Sequence, residues 1–555
     1  MARDYFHAVP VTHDVNISST TINFNLFVSH VGTRNRYLLA MGVEGNELKP
    51  VQSTQSISAT FSPLRETLFI TLVCMAQFMT QTNVGVCLPN LDILGESFGI
   101  TDSGILSWFL AGYSLTVGTF IIIFGRCGDL FGYRRMFLTG FIWLAIWSLV
   151  AGVSVYSNHI LFIIARVLQG IGSAMLLPNG LAILGATYPP GKKKAMIFAL
   201  FGAVAPNSAL LGAIFGALFS QIAWWPWTFW TQAIVSVVCA ILGFIVVPSI
   251  HHDNLDEINS FIDLLKALDA TGAACGIGGL VLFNIAWNQA PVAGWSTPYV
   301  YILLIIGILL LAAFFVVEFR FAEHPLIPFQ AFSRDVSFVL GCVACGWGAF
   351  GTWIWYYWRF EMEFRKRSPL IASAEFIPVS PVGIAACFIT GLLIARMRPG
   401  WIMIMSMTAF TLGNILTAIA PVDQTYWALT FVTLLVIPWG MDMSFPAATL
   451  MLSNSVERKH QGIAASLVTT VVNYSISLSL GFAGTVETHV NNGGTTPHDI
   501  LKGYRGALYF STGLGGLGIF LSVIFTIKCY WEERRSKQGG EAEDSSTDET
   551  ILSEP

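Results

Sequence analysis

Long apolar runs broken by short polar stretches dominate the chain from Arg65 to Ile527. The runs last roughly 18–25 residues, the length a helix needs to cross a hydrocarbon core. A helix satisfies its own backbone hydrogen bonds in lipid, so each run is read as a membrane-crossing helix. About fourteen are predicted: 65–88, 104–124, 136–156, 160–184, 196–220, 228–249, 269–288, 298–318, 336–358, 374–395, 401–420, 427–450, 462–485 and 505–527. The fold class is therefore all-α and integral to the membrane. Residues 1–64 are polar and lack sustained periodicity, and residues 531–555 are rich in Glu, Asp, Ser and Thr. Both flanks read as disordered.

Composition strengthens this reading. Of the 555 residues 54% are hydrophobic and 11% charged, against about 25% charged in a soluble domain. Lysine and arginine distribution then sets an orientation. With the N-terminus in the cytoplasm, the inner loops hold Arg126, Arg134, Arg135, Lys192 to Lys194, Arg320, Arg334, Arg396, Arg398, Arg458, Lys459 and the cluster Lys528 to Lys537. Both termini are then cytoplasmic. One outer loop disagrees, carrying Arg359, Arg365, Lys366 and Arg367 beside Glu361 and Glu363. The turn Trp224-Trp225-Pro226-Trp227 reads as an interfacial aromatic anchor.

Several function classes drop out. The ten histidines lie in loops, tails or span edges, and the nine cysteines are scattered. Cys342-x-x-Cys345 has no second metal-ligating pair, so neither a metal nor a cofactor is expected. No phosphate-binding glycine loop supplies an ATP motor. Clustered histidines or paired carboxylates suited to an enzyme are missing. Nucleic acid is not an expected partner; the lipid bilayer, a small solute and protons are, with the chain acting as a monomer.

The remaining chemistry lies in polar residues that interrupt the apolar runs. Between the second and third spans stands Gly125-Arg126-Cys127-Gly128-Asp129-Leu130-Phe131-Gly132-Tyr133-Arg134-Arg135. Its glycines permit a sharp turn. Gly125, Asp129, Gly132, Arg134 and Arg135 are read as a latch on one side of a moving protein. Arg166 lies inside the fourth span, where an arginine costs about 2.5–3.5 kcal/mol to insert. It either snorkels to the headgroups or faces a polar cavity; the cavity is favoured. Gln169 follows it. Asp442 sits between Pro438 and Pro446, which are expected to break the twelfth span; it is either a candidate proton carrier or a structural carboxylate bonded to a neighbouring helix. The first span presents Gln77, Thr80, Gln81, Thr82 and Asn83, which either line a solute pathway or bind neighbouring helices.

These residues resemble a known family. Gly125-x-x-x-Asp129-x-x-Gly132-x-Arg134-Arg135 is similar to the signature loop of the major facilitator superfamily, and Arg166-x-x-Gln169-Gly170-x-Gly172 to the fourth-span signature of its fourteen-span drug:proton antiporter branch. The resemblance covers roughly residues 65–530. It implies two six-helix bundles, 65–250 and 336–530, joined across 251–335 by a linker and an extra central helix pair. It also implies a proton-coupling role for Arg166. A degenerate second signature loop occupies Gly391 to Gly400. Two departures stand out. The fifth-span motif, usually Gly-Pro-x-x-Gly-Gly, reads Gly212-Ala213-Ile214-Phe215-Gly216-Ala217, leaving Gly212 and Gly216 as packing positions. The first span has Thr80-Gln81-Thr82 where the family commonly places an aspartate. Ala205-Pro206-Asn207, the tryptophan run and Gly440-Met441-Asp442-Met443 resemble the fungal subgroup related to aminotriazole-resistance and boron-export proteins, with relatives linked to low-affinity ammonium movement.

The expected function is export of a small polar or amphipathic solute, borate-like or toxic, by alternating access in exchange for protons. The plasma membrane is the expected location, with the vacuolar membrane as the alternative. The alternative activity is an uncoupled or low-affinity carrier of ammonium or a similar solute. A transporter-like sensor ranks third.

Overall fold

The computed structural model describes residues 61–189, 191–248, 260–322, 325–327, 334–394, 396–454 and 461–551. The N-terminal region up to residue 60, linker residues 251–259, and Arg458 with Lys459 lie outside the described residues.

Among the described residues, fourteen long helices account for the apolar runs. They are α1 (Pro63–Gly85), α2 (Ser103–Phe131), α3 (Tyr133–Val153), α4 (His159–Thr187), α5 (Lys192–Ile222), α6 (Pro226–Val246), α7 (Ala270–Ala293), α8 (Pro298–Arg320), α9 (Arg334–Arg359), α10 (Val379–Ile394), α11 (Pro399–Ala418), α12 (Leu429–Asn454), α13 (Gln461–Val490) and α14 (Pro497–Ile551). Local sequence fixes several starts. Ser62, Asp102 and Asn158 cap α1, α2 and α4 by accepting backbone N–H bonds, satisfying donors a helix start leaves open. Pro63, Pro226, Pro298 and Pro399 occupy first-turn positions, where the missing N–H costs nothing.

The packing repeats. In the first half α1 pairs with α5, α3 with α4 and α6, and α2 with α4; in the second α9 pairs with α13, α11 with α12 and α14, and α10 with α12. Between the halves α2 meets α13 and α5 meets α10, the same pairing with the halves exchanged. An internally repeated transporter has this arrangement. The extra helices α7 and α8 pack on each other, and α7 also lies against α2 and α13. Ile305, Leu309 and Phe319 of α8 and Ile142, Ile146 and Leu149 of α3 are exposed, forming a surface that lipid would cover.

Four expectations need correction. The glycine-rich turn is almost wholly helical: α2 continues through Phe131, and Gly132 alone, at φ 97°, reverses the chain into α3. A side chain is strongly disfavoured there. Pro438 and Pro446 lie inside an unbroken α12. Pro446 cannot donate to the Asp442 carbonyl four residues earlier; the Cys387 thiol, 4.0 Å away, points at that carbonyl instead. Such side-chain replacement keeps a proline-containing membrane helix intact. The acidic tail is helical to Ile551, because extending an existing helix costs far less than nucleating one. Finally, Trp225 is buried and donates to Ser97 Oγ at 3.0 Å, so only Trp224 and Trp227 remain partly exposed as an interfacial anchor would be.

Candidate functional site

Arg166 is fully buried, which excludes snorkelling. Its Nε donates to the Phe109 carbonyl at 2.9 Å. Nη1 donates to Gln169 Oε1 at 2.7 Å and Asn83 Oδ1 at 3.3 Å, and Nη2 to the Asn83 carbonyl at 2.6 Å. The guanidinium also lies 4.7 Å from the Tyr113 ring centroid, within cation–π range. Gln169 Nε2 donates onward to Ser148 Oγ at 2.8 Å, and the Tyr113 hydroxyl donates to the Thr80 carbonyl at 2.8 Å. The fork of donors thus ties α1, α2 and α4 together, and every one of these partners is neutral. Arg166, Gln169, Asn83 and Thr80 therefore meet in one cluster.

The rest of the α1 polar face divides. Thr82 Oγ1 donates to the Ser208 carbonyl of α5 at 3.2 Å, so it binds a neighbouring helix. Gln77 and Gln81, four residues apart and hence on one face, are half-buried. Gly212 and Gly216 seat α5 against this same helix. A Cβ at Gly212 would lie 2.6 Å from the Thr82 carbonyl oxygen, and one at Gly216 2.8 Å from that of Val86.

Asp442 lies in the second half, apart from the Arg166 cluster. Its Oδ2 is buried without a hydrogen-bond partner, 2.6 Å from where a Cβ at Gly383 would sit. The same Gly383 position lies 3.3 Å from Pro206 Cβ of α5, so the carboxyl stands at the seam between the halves. One turn away, Ser380 of α10 donates to Asn207 of α5 across that seam. Neither residue carries a charge, so neither stands out in an apolar run of the sequence.

The face opposite the α2–α3 turn holds a group of charges that the sequence marked only as an anomaly. Around Phe360 the helix widens by one residue, the Arg365 N–H reaching back to the Phe360 carbonyl. Such widened turns occur often at functional sites. Arg359 bonds Glu363 at 2.9 Å, the Tyr504 hydroxyl at 3.1 Å and, from the other half, Asp92 at 2.6 Å. Arg365 pairs with Glu361 at 3.1 Å and Arg367 with Glu375 at 3.2 Å. The basic loop that broke the charge rule is thus locally neutralised. Asp92 was missed because its partner lies 267 residues further along the chain.

This network closes one end of the seam. From α5 the contacts run through the short helix Pro369–Glu375 to α10: Gln221 accepts the Leu370 N–H at 2.9 Å, Ser373 donates to the Ala213 carbonyl, and Pro206 lies against Gly383. Nearer the turn face, a Cβ at Gly202 or Gly391 would meet nothing within 4 Å. At the turn itself Asp129 accepts from the Tyr133 hydroxyl at 2.6 Å and Arg134 donates to the Phe244 carbonyl at 2.6 Å, while Arg135 is exposed. Gly125 lies between Pro178 of α4 and Ser466 of α13.

Two six-helix halves meeting along a polar seam, closed at one end, define a helical membrane carrier. Residues 73–480 match the family model of the Major Facilitator Superfamily. The chain is a member of that superfamily, and not an enzyme. It is 52% identical over 85% of its length, and 91% of the relative's, to a low affinity ammonium transporter of Saccharomyces cerevisiae. It is 46% identical to the efflux pump terJ of Aspergillus terreus, covering 86% of this chain and 90% of that one. Identity to the aminotriazole resistance protein of S. cerevisiae is 36%, over 86% and 87% of the two chains. Among solved structures, a peptide transporter POT in complex with sulfate superposes with a TM-score of 0.57 at 15% identity, covering 83% of this chain and 94% of that one. That likeness concerns the fold alone.

Proposed function

We propose that this protein exports a small polar or amphipathic solute by alternating access, in exchange for protons. The observation that supports coupling is the Asp442 carboxyl: its Oδ2 has no hydrogen-bond partner and stands where the two halves meet. A carboxyl in that place gains or loses a proton at different cost as the seam opens and closes. Arg166 fixes the geometry of α1, α2 and α4, and Gln77, Gln81 and Asn83 belong to the solute pathway. The turn face is cytoplasmic, as are both termini, and the α2–α3 turn latches that side when the opposite face opens. The plasma membrane is the proposed location and the monomer the working unit. Relatives named as efflux pumps and a resistance protein support the direction of transport. In reconstituted vesicles, with aminotriazole and borate as probes, Asp442→Asn should abolish the dependence of flux on an imposed pH gradient. Unchanged dependence refutes the coupling role.

A second reading has its own support. The 52% identical relative is named for low-affinity ammonium transport, and the first span lacks the family's usual aspartate. On this reading methylammonium crosses without proton exchange. Flux that persists unchanged after an uncoupler collapses the proton gradient favours it over antiport.

A further inference from the structure

The first turns of α14 frame a cleft of about 310 Å³, lined by His498, Lys502 and Arg505 together with Val490, Leu501 and Tyr509. Within these turns Tyr504 accepts from Arg359, which sets the cleft at the face opposite the α2–α3 turn. Arg505 Nη2 donates to the Ala420 carbonyl at 3.3 Å, while its Nε is buried with no hydrogen-bond partner among the described residues. His498 and Lys502 are exposed. Asp499, their acidic neighbour on the helix, accepts from the Thr496 hydroxyl at 2.6 Å and the Asn492 amide at 3.2 Å, and it does not line the cleft. Two cations and an imidazole thus gather around an otherwise apolar hollow.

Beyond the cleft the exposed side of α14 continues as one stripe. Lys502, Tyr509, Gly513, Leu517 and Phe520 are all exposed, at spacings that keep them on a single helix face. A Cβ at Gly513 or Gly516 would meet nothing within 4 Å, so the missing side chains leave a groove between Tyr509 and Phe520. From Lys502 to Leu517 the stripe runs about 22 Å along the helix axis, which is the depth of one leaflet, half of a bilayer about 40–45 Å thick. We propose that this face holds a glycerophospholipid, with its phosphate in the cleft and one acyl chain along the groove at Gly513 and Gly516. Lys502 and Arg505 supply charge-assisted donors to the phosphate oxygens, and His498 can donate one more. Tyr509 stands at the boundary between headgroup and chain, the level that tyrosine favours in membrane proteins. A free anion would use the cleft alone; only a lipid uses the cations and the glycine groove that continues from them. A lipid held there braces the start of α14 beside the Arg359 network.

The test uses full-length protein in detergent, titrated with phosphatidylglycerol and read by native mass spectrometry as lipid adducts per chain. Wild type should retain the lipid, and diacylglycerol, which lacks the phosphate, should bind more weakly. Lys502→Gln combined with Arg505→Gln should weaken binding about tenfold, as loss of a hydrogen bond to a charged group does. Lys502→Gln alone changes an exposed side chain and keeps the test decisive if the double variant does not fold. Gly513→Leu fills the groove, where nothing obstructs a side chain, and should also weaken lipid binding. Equal retention in wild type and all variants overturns the proposal, since the lipid would then be unspecific. Loss in the charge variants with full retention in Gly513→Leu overturns it too, because the cleft alone would hold the headgroup. So does displacement of the lipid by an equal concentration of inorganic phosphate, which would make this a site for a free anion.

Discussion

Replacing Asp92 by Asn tests whether the charged network opposite the turn holds the seam shut. The Arg359–Asp92 contact, 2.6 Å long, is an ion pair joining the halves at that face. Asn keeps an acceptor at the same position but removes the charge. Arg359 stays paired with Glu363 and Tyr504, so no cation is left bare and the fold should persist. The Asp92 side chain is 45% exposed and the Arg359 side chain 8%. A half-exposed pair is screened and sits near the upper end of the surface range, about 1 kcal/mol. Removing about 1 kcal/mol from the closed state shifts a two-state equilibrium roughly fivefold towards the open one. Spin labels at exposed positions flanking the seam, read by pulsed dipolar spectroscopy, would report the two populations. The longer-distance population should grow by about that factor, and Asp92→Glu, which keeps the charge, should retain more of the closed one. An unchanged distance distribution in Asp92→Asn would refute the assignment of this contact as a closing element.

Two further substitutions follow from close contacts. Gly216→Ala drives a methyl to within 2.8 Å of the Val86 carbonyl oxygen and 2.7 Å of the Asn90 amide nitrogen; overpacking of this kind costs about 1–3 kcal/mol, to be seen as a lower unfolding midpoint with solute binding retained. Arg166→Lys replaces a planar fork by a point charge, which cannot reach the Phe109, Asn83 and Gln169 oxygens together. Losing one charge-assisted bond costs about 1.5–3 kcal/mol, so thermal stability and flux should both drop, and wild-type stability in this variant would show that the cluster is not held by the fork.

The sequence made the helices legible because a span is a local property: its length and apolarity are read off contiguous residues, and all fourteen runs recur as helices. What it hid were partners far along the chain. Arg166 was visible as an expensive buried charge, but not that Asn83, 83 residues earlier, would answer it with both its side chain and its carbonyl. Proline was read by its intrinsic effect, and α12 stayed whole because Cys387 on another helix stands over the carbonyl that Pro446 leaves open. The basic loop from Arg359 to Arg367 shows the same limit from the opposite side. Counting lysine and arginine along one loop treats each as a free charge facing the membrane field. Arg359, Arg365 and Arg367 are each paired with a carboxylate, and the Asp92 member of that set comes from the other half of the molecule. Which carboxylate answers each arginine is set by the folded contacts and cannot be counted along the loop. The exception to the charge rule therefore located a structural joint, and such exceptions are where a membrane sequence best reveals contacts between its halves.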